Sequence, residues 1–127
     1  MPRYDPTYSP PAPILKVTVS NPHKPEVEGI EEEALIDSGA FMTAIPKDFV
    51  KKLKILPAGE VEGVKGHKGK GQNHLIYFVD VSFNGYSFYT EVMAVKRKNV
   101  LIGRDILNQL KLILDGKNLN FDILDPP

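Results

Sequence analysis

The stretch "HLIYFVDVSFNGYSFYTEVMAV", residues 74 to 95, limits what this 127-residue chain can fold into more than any other. Two runs rich in β-branched and aromatic residues flank Asn84-Gly85. Asn-Gly favours the tight turn whose twist matches two antiparallel strands, so the stretch predicts a long β-hairpin. The aromatics beside the turn, Phe83, Tyr86, Phe88 and Tyr89, could form a ligand-stacking patch, but strand alternation assigns them more simply to a core face and a surface face. A lone hairpin cannot bury itself, so the remaining sequence must supply further strands.

It does so in short pieces. "ILKVTVS", 14 to 20, alternates Leu15, Val17 and Val19 with Lys16 and Thr18 and reads as a half-buried strand, broken by "NPHKP". An extended stretch from Val27 enters "EALID", whose Ala34, Leu35 and Ile36 run without alternation, the pattern of a strand covered on both faces. "FMTAI" reads as another strand, and "PKDFVKKLKI" as a brief helix with Pro46 near its first turn, Phe49 and Leu53 on one side, and an end before Pro57. "VLIGRDILNQL" passes from strand through Gly103 into a second short helix, and "LKLILDGKNLNFDIL" gives a hairpin around Asp115-Gly116. Six to eight short strands and two short helices predict an all-β chain, a mostly antiparallel barrel or sandwich rather than a βαβ sheet.

The length suits one domain. Five prolines among the first thirteen residues fix backbone angles and remove donors, so residues 1–13 are expected to be an extended arm outside any sheet interior, with the domain at 14–127. Sixteen basic residues balance sixteen acidic ones, which gives no overall attraction to nucleic acid or to an anionic membrane. No apolar run approaches a membrane span and "MPRYDPTYSPPAP" lacks the apolar segment of a signal peptide, so a soluble, cytoplasmic protein is expected. The absence of cysteine excludes disulfides, thiolate metal sites and a cysteine nucleophile.

The chemistry then points to "EALIDSGAFMTAIP", residues 33 to 46, where Asp37 follows a buried approach and precedes Ser38, Gly39 and Ala40. Alone, an aspartate before Ser-Gly is a turn former. Two further elements alter that reading: "VLIGRDIL" at 100 to 107, and the interval "GEVEGVKGHKGKG" between Gly59 and Gly71, whose five glycines and three lysines make a mobile polar segment. Together these elements resemble the retropepsin-like (retroviral-type) aspartic protease family, in which an apolar run enters Asp-(Thr or Ser)-Gly-Ala, a glycine-rich flap follows, and a late apolar-Gly-Arg-(Asp or Asn) motif precedes a helix. The resemblance covers about residues 14 to 123.

The resemblance implies a single-lobe β-barrel that assembles as a homodimer, since one chain carries one Asp-Ser-Gly. It implies an aspartic endopeptidase whose two Asp37 carboxylates activate water against a polypeptide substrate, with no metal and no cofactor. Ser38 would bond across the dimer axis and Gly39 would admit the peptide backbone. Ala40 with Gly63, Val64, Gly66, His67 and Gly69 of the flap would contact substrate, and Gly103, Arg104 and Asp105 would support the site. The terminal hairpin, 111 to 123, would pair with its symmetry mate. One position departs from the family: Phe41 stands where the viral enzymes carry an acid that pairs with the late arginine. Asp105 or a glutamate of the 31 to 33 run is then expected to take Arg104.

Competing readings are weaker. A phosphate loop would need a glycine five residues before Gly69-Lys70 and a serine or threonine after, whereas Val64 and Gly71 stand there. Lys65, His67, Lys68 and Lys70 lack interleaved aromatics for nucleic acid, and His67 with His74 lacks a third metal ligand. The rival of a different class is a catalytically silent dimer of the same fold that binds peptides or scaffolds an assembly.

Overall fold

The computed structural model describes residues 2–65 and 71–124, with backbone alone at 60–65 and 71–74. Nine strands and two short helices occur among them: β1 (Ile14–Ser20), β2 (Ile30–Ile36), β3 (Ala44–Pro46), α1 (Lys47–Lys52), β4 (Gly59–Lys65), β5 (Gly71–Phe83), β6 (Tyr86–Val95), β7 (Val100–Ile102), α2 (Arg104–Leu107), β8 (Leu112–Asp115) and β9 (Asn120–Ile123).

The hairpin that anchored the sequence reading is the spine of the fold. β5 and β6 pair antiparallel from Ile76↔Met93 to Phe83↔Tyr86, and Asn84 and Gly85 take positive φ of 50° and 83°, as a two-residue turn of this hand requires. Alternation sorts its residues: Tyr77, Val79, Val81 and Phe83 are buried, and Phe88 and Val92 meet them. Of the aromatics by the turn, Phe83 and Phe88 join the core while Tyr89 stays 57% exposed.

The sheet order β1-β2-β7-β3-β6-β5-β4, with β1 also paired to β5, closes six strands into a barrel and leaves β4 outside it, on β5. Two pairings are parallel, β2 with β7 and β3 with β6. Val17, Val19, Ala34, Ile45, Val79, Val81, Val92, Val100 and Ile102 fill the interior. Such small branched side chains suit a narrow barrel lumen. α1 and its C-cap close one end with Phe49 and Leu53, both buried, and the carbonyls of Leu53 and Lys54 just past the helix accept from the Nδ2 of buried Asn21 at 2.9 and 3.3 Å.

Four sequence expectations need correction. Nine strands occur among the described residues, rather than six to eight. β2 does alternate: Ala34 and Ile36 are buried but Leu35 between them is only half-buried. The strand expected over "FMTAI" starts at Ala44, because Phe41 and Met42 are spent on the bend that follows the Asp37 turn. The last hairpin does not turn on Asp115-Gly116 alone. Asp115 pairs with Asn120, leaving a four-residue loop held by the Asp115 carboxylate, which accepts from Asn118 N and Nδ2 at 3.1 and 2.8 Å.

The proline-rich segment turns back on itself and is tied to the rest of the chain. It forms isolated bridges, Arg3 to Asn120 and Asp5 to Ala12, and Tyr8 Oη accepts from Asn99 Nδ2 at 2.7 Å. Proline prevents continuous pairing without preventing single backbone bonds.

Candidate active site

Parallel pairing of β2 with β7 brings the two motifs together. The register Ala34↔Val100, Leu35↔Leu101, Ile36↔Ile102 ends both strands at one level, so the chain leaves β2 at Asp37 beside the point where it leaves β7 at Gly103. Asp37 N donates to Ile102 O at 3.0 Å and extends the ladder by one bond.

Beyond the strands, each loop supplies groups that the other lacks. Arg104 N donates to Ala40 O at 2.8 Å, and Arg104 Nη1 donates to Ser38 O at 2.9 Å. Thr43, fully buried, donates its Oγ1 hydroxyl to Asp105 Oδ1 at 2.7 Å and its N–H to both Asp105 oxygens at 3.0 to 3.1 Å. The same Thr43 oxygen accepts from Gly103 N at 3.1 Å. Asp105 Oδ1 also accepts from Ile106 N at 2.9 Å, in the first turn of α2. Charge-assisted bonds of this kind are worth about 1.5–3 kcal/mol each.

The close approach requires glycine at 103. A Cβ there would lie 2.6 Å from Met42 C, 2.8 Å from Met42 O and 2.9 Å from Thr43 N. Backbone atoms cannot rotate away, so any side chain at 103 would push the loops apart.

This interlock presents one carboxylate. Asp37 is half-buried at the barrel rim, while Ser38 and Gly39 after it are exposed. Its Oδ1 accepts from Gly39 N at 2.9 Å and its carbonyl accepts from Ala40 N at 3.1 Å, so the turn fixes the carboxylate through its own backbone. A Cβ on Gly39 would approach that Oδ1 to 3.1 Å. One carboxylate oxygen thus faces the turn, and the other is free of it.

The structure joins Asp37, Ser38, Gly39, Ala40, Gly103, Arg104 and Asp105 into one unit. Of the flap positions, Gly63 and Val64 lie on β4, which pairs with the start of β5. Gly66, His67 and Gly69 lie outside the described residues. The expected partner of Arg104 is corrected: neither Asp105 nor a glutamate of the 31 to 33 run pairs with it. Asp105 is consumed by Thr43, and the guanidinium takes the Ser38 carbonyl instead. Thr43 is the residue that sequence reasoning missed. Its signal was a lone hydroxyl in the otherwise apolar "FMTAI", ahead of a strand that has no solvent face to spare.

A sequence-family model described as "gag-polyprotein putative aspartyl protease" matches residues 24–109, a span that holds both motifs. The chain belongs to the retropepsin-like aspartic protease family. By family it is an aspartic endopeptidase. Solved structures share the fold at low identity. The EIAV protease complexed with the inhibitor HBY-793 aligns at 19% identity and a TM-score of 0.61, over 77% of this chain and 86% of that one. The simian foamy virus (mac) protease aligns at 20% identity and 0.56, over 75% and 91%. The foamy viral protease-reverse transcriptase in complex with an RNA/DNA hybrid aligns at 24% identity and 0.59, over 79% of this chain but 12% of that one. No curated protein matches the chain in sequence.

Proposed function

We propose that this retropepsin-like chain works as a homodimer in which the Asp37 carboxylates of two copies form one peptide-cleaving site. The observation that carries the proposal is the interlock: one carboxylate held at the rim by a turn that is bonded at Ser38, Ala40 and Thr43 to the Gly103-Arg104-Asp105 loop. Such rigidity is what a site made of two halves demands, because the two carboxylates must meet within a few ångströms. At that separation they cannot both ionise easily and share a proton. The ionised member takes a proton from the attacking water while the protonated member donates to the peptide carbonyl oxygen. Ser38 ties the two turns together across the axis. The substrate lies extended between the paired Asp37 turns and the β4–β5 hairpin, in the manner of an added strand.

Support for a second copy comes from the terminal hairpin. Ile113, Leu114, Leu119 and Leu124 are 40 to 45% exposed on or beside this short two-stranded sheet.

The test compares the chain with Asp37→Asn, which keeps shape and removes shared-proton chemistry, on a pool of unstructured peptides between about pH 4 and 7. Cleavage by the parent dimer and its loss in the variant dimer is the expected result. A parent dimer that binds peptides and leaves them intact would turn the reading to a silent peptide-binding module.

A further inference from the structure

Two hollows open along the outer face of the β5–β6 hairpin, and one side chain lines both. The larger, of about 400 Å³, starts where the Asp37 turn ends, with Phe41 and Met42 on one side and Phe78, Tyr89 and Glu91 on the other. The smaller, of about 210 Å³, lies among the "NPHKP" loop, the segment after α1, and β5. His23, Lys24, Lys54, Leu56 and Pro57 surround it, and Phe78 again forms a wall.

An aromatic row carries one hollow into the other. Phe78 and Tyr89 stack with centroids 5.2 Å apart and planes at 12°. His23 meets Tyr89 edge-on at 6.1 Å, its Nε2 lying 3.4 Å from Tyr89 Oη. Phe41, Leu56 and Tyr89 are 47, 83 and 57% exposed, so apolar surface faces water along the whole row. Fixed apolar surface with a few polar groups at its ends is what a binding groove offers.

The far end is cationic. No carboxylate lines the smaller hollow. The ion pairs among the described residues are Lys16 with Glu31 and Lys52 with Asp48, so neither Lys24 nor Lys54 is neutralised there. Lys54 also stands at φ 55°, in the left-handed region that favours glycine. A lysine kept in a backbone conformation that glycine adopts more easily points to a use for its side chain.

Phe41 and Met42 lead into β3, which pairs parallel with β6. From there the groove crosses β6 and β5 to residues 54–58, where Ala58 N donates to Ile76 O at 2.7 Å. Three strand spacings of about 4.8 Å make about 14 Å, which an extended peptide covers in about four residues.

We propose that this groove takes the distal part of the polypeptide substrate: a large apolar residue over Phe41 and Tyr89 and, about four residues farther from the cut, an acidic residue at Lys24 and Lys54. The proposal rests on the homodimeric protease reading and gives it a substrate class. Continuity selects this occupant, because Phe41 follows Ala40 of the Asp37 turn directly and a peptide leaving the site along this chain passes over it. Charge selects the residue at the far end. Each copy carries its own groove, so the preference falls on both sides of the cut.

The test separates binding from cleavage. Amide nitrogen–proton spectra of the Asp37→Asn chain are recorded with two end-blocked peptides, Phe-Ser-Gly-Ser-Asp-Asp and Phe-Ser-Gly-Ser-Lys-Lys. The acidic peptide is expected to move the signals of Lys54, Leu56 and Tyr89, and the basic peptide to leave them in place. Joint Lys24→Glu and Lys54→Glu should weaken binding of the acidic peptide about tenfold and admit the basic one, an exchange that a structural role for the lysines would not produce. Lys54→Gly relieves the backbone, so it should melt no lower than the Asp37→Asn chain and still bind the acidic peptide about threefold more weakly.

Signals that stay still with both peptides, that move alike with both, or that move with protein concentration alone, as a second copy in the groove would cause, each overturn the proposal. In the chain that keeps Asp37, cut sites should carry the same acid, and the charge-reversed variant should exchange it for a base; cut sites indifferent to both changes overturn it as well. Acid-selective binding at these amides, in a protein whose Asp37 form cuts no peptide, would leave the groove standing and sink the shared-carboxylate reading instead.

Discussion

Replacing Gly103 with alanine places a methyl carbon 2.6 Å from Met42 C and 2.9 Å from Thr43 N, where contact normally begins beyond 3.4 Å. Gly103 has φ −94° and ψ −176°, which alanine adopts without strain, so the perturbation is purely a matter of space. Overpacking against backbone costs about 1–3 kcal/mol. Displacing the loop also weakens the 3.1 Å bond from Gly103 N to Thr43 Oγ1, worth about 1 kcal/mol. Against this, alanine restricts the unfolded chain and returns about 0.4–1 kcal/mol. The net destabilisation is about 2–3 kcal/mol, or roughly 10 °C in melting temperature for a domain of this size. Gly116→Ala is the control: nothing lies within 4 Å of its added Cβ, and Gly85 is the glycine that takes positive φ among the described residues. That variant should melt at or slightly above the parent temperature. Thermal and urea unfolding of both proteins measure the difference. Equal midpoints for the two variants would show that the loops part at little cost, and the account of a rigid interlock would fail.

Two further outcomes follow from the same bonds. Asp105→Ala strips the acceptor from Thr43 N, Thr43 Oγ1 and Ile106 N, leaving polar groups of a fully buried residue unpaired; a loss of about 2–4 kcal/mol in urea unfolding is expected, with partial recovery in Asp105→Asn. At Asp115, the Asn118 side chain and then its backbone N–H hold the carboxyl below its ordinary value of 3.8. A depressed folded-state value stabilises above the unfolded one and is lost as pH falls through the folded one, so the protection factor of the Asn118 amide, its exchange rate relative to the intrinsic rate at each pH, should hold down to the ordinary value of 3.8 and fall below it.

Much of the fold was legible because its signals are local. Asn84-Gly85 dictates a turn by its backbone preferences, and the flanking alternation dictates which face is buried. The four-residue loop of the second hairpin was not legible, because it is set by Asn118 returning to the Asp115 carboxylate and by Leu119 at φ 53°, and neither advertises itself beside Asp-Gly. The bonds of the arm were not legible for a related reason. Composition reports how often proline interrupts pairing, whereas Pro2 O needs only Phe121 N on β9 and Tyr4 N only Leu119 O just before it.

The site divides along the same line. Its motifs were readable as strings, but what joins them is long-range, and the departure at Phe41 shows how. An acid at that position would compete for Arg104, and the exposed Phe41 cannot. The guanidinium therefore reaches the Ser38 carbonyl, inside the turn that carries Asp37, and Arg104 N holds Ala40 O from the other side of the same turn. Two bonds from one residue clamp the turn at both ends without an ion pair. Asp105 is released from any duty toward its neighbour and is spent on Thr43, which in turn holds Gly103. No residue in this circuit could be assigned its partner from spacing alone, because each choice depends on the one before it, and the first is the loss of a charge at Phe41.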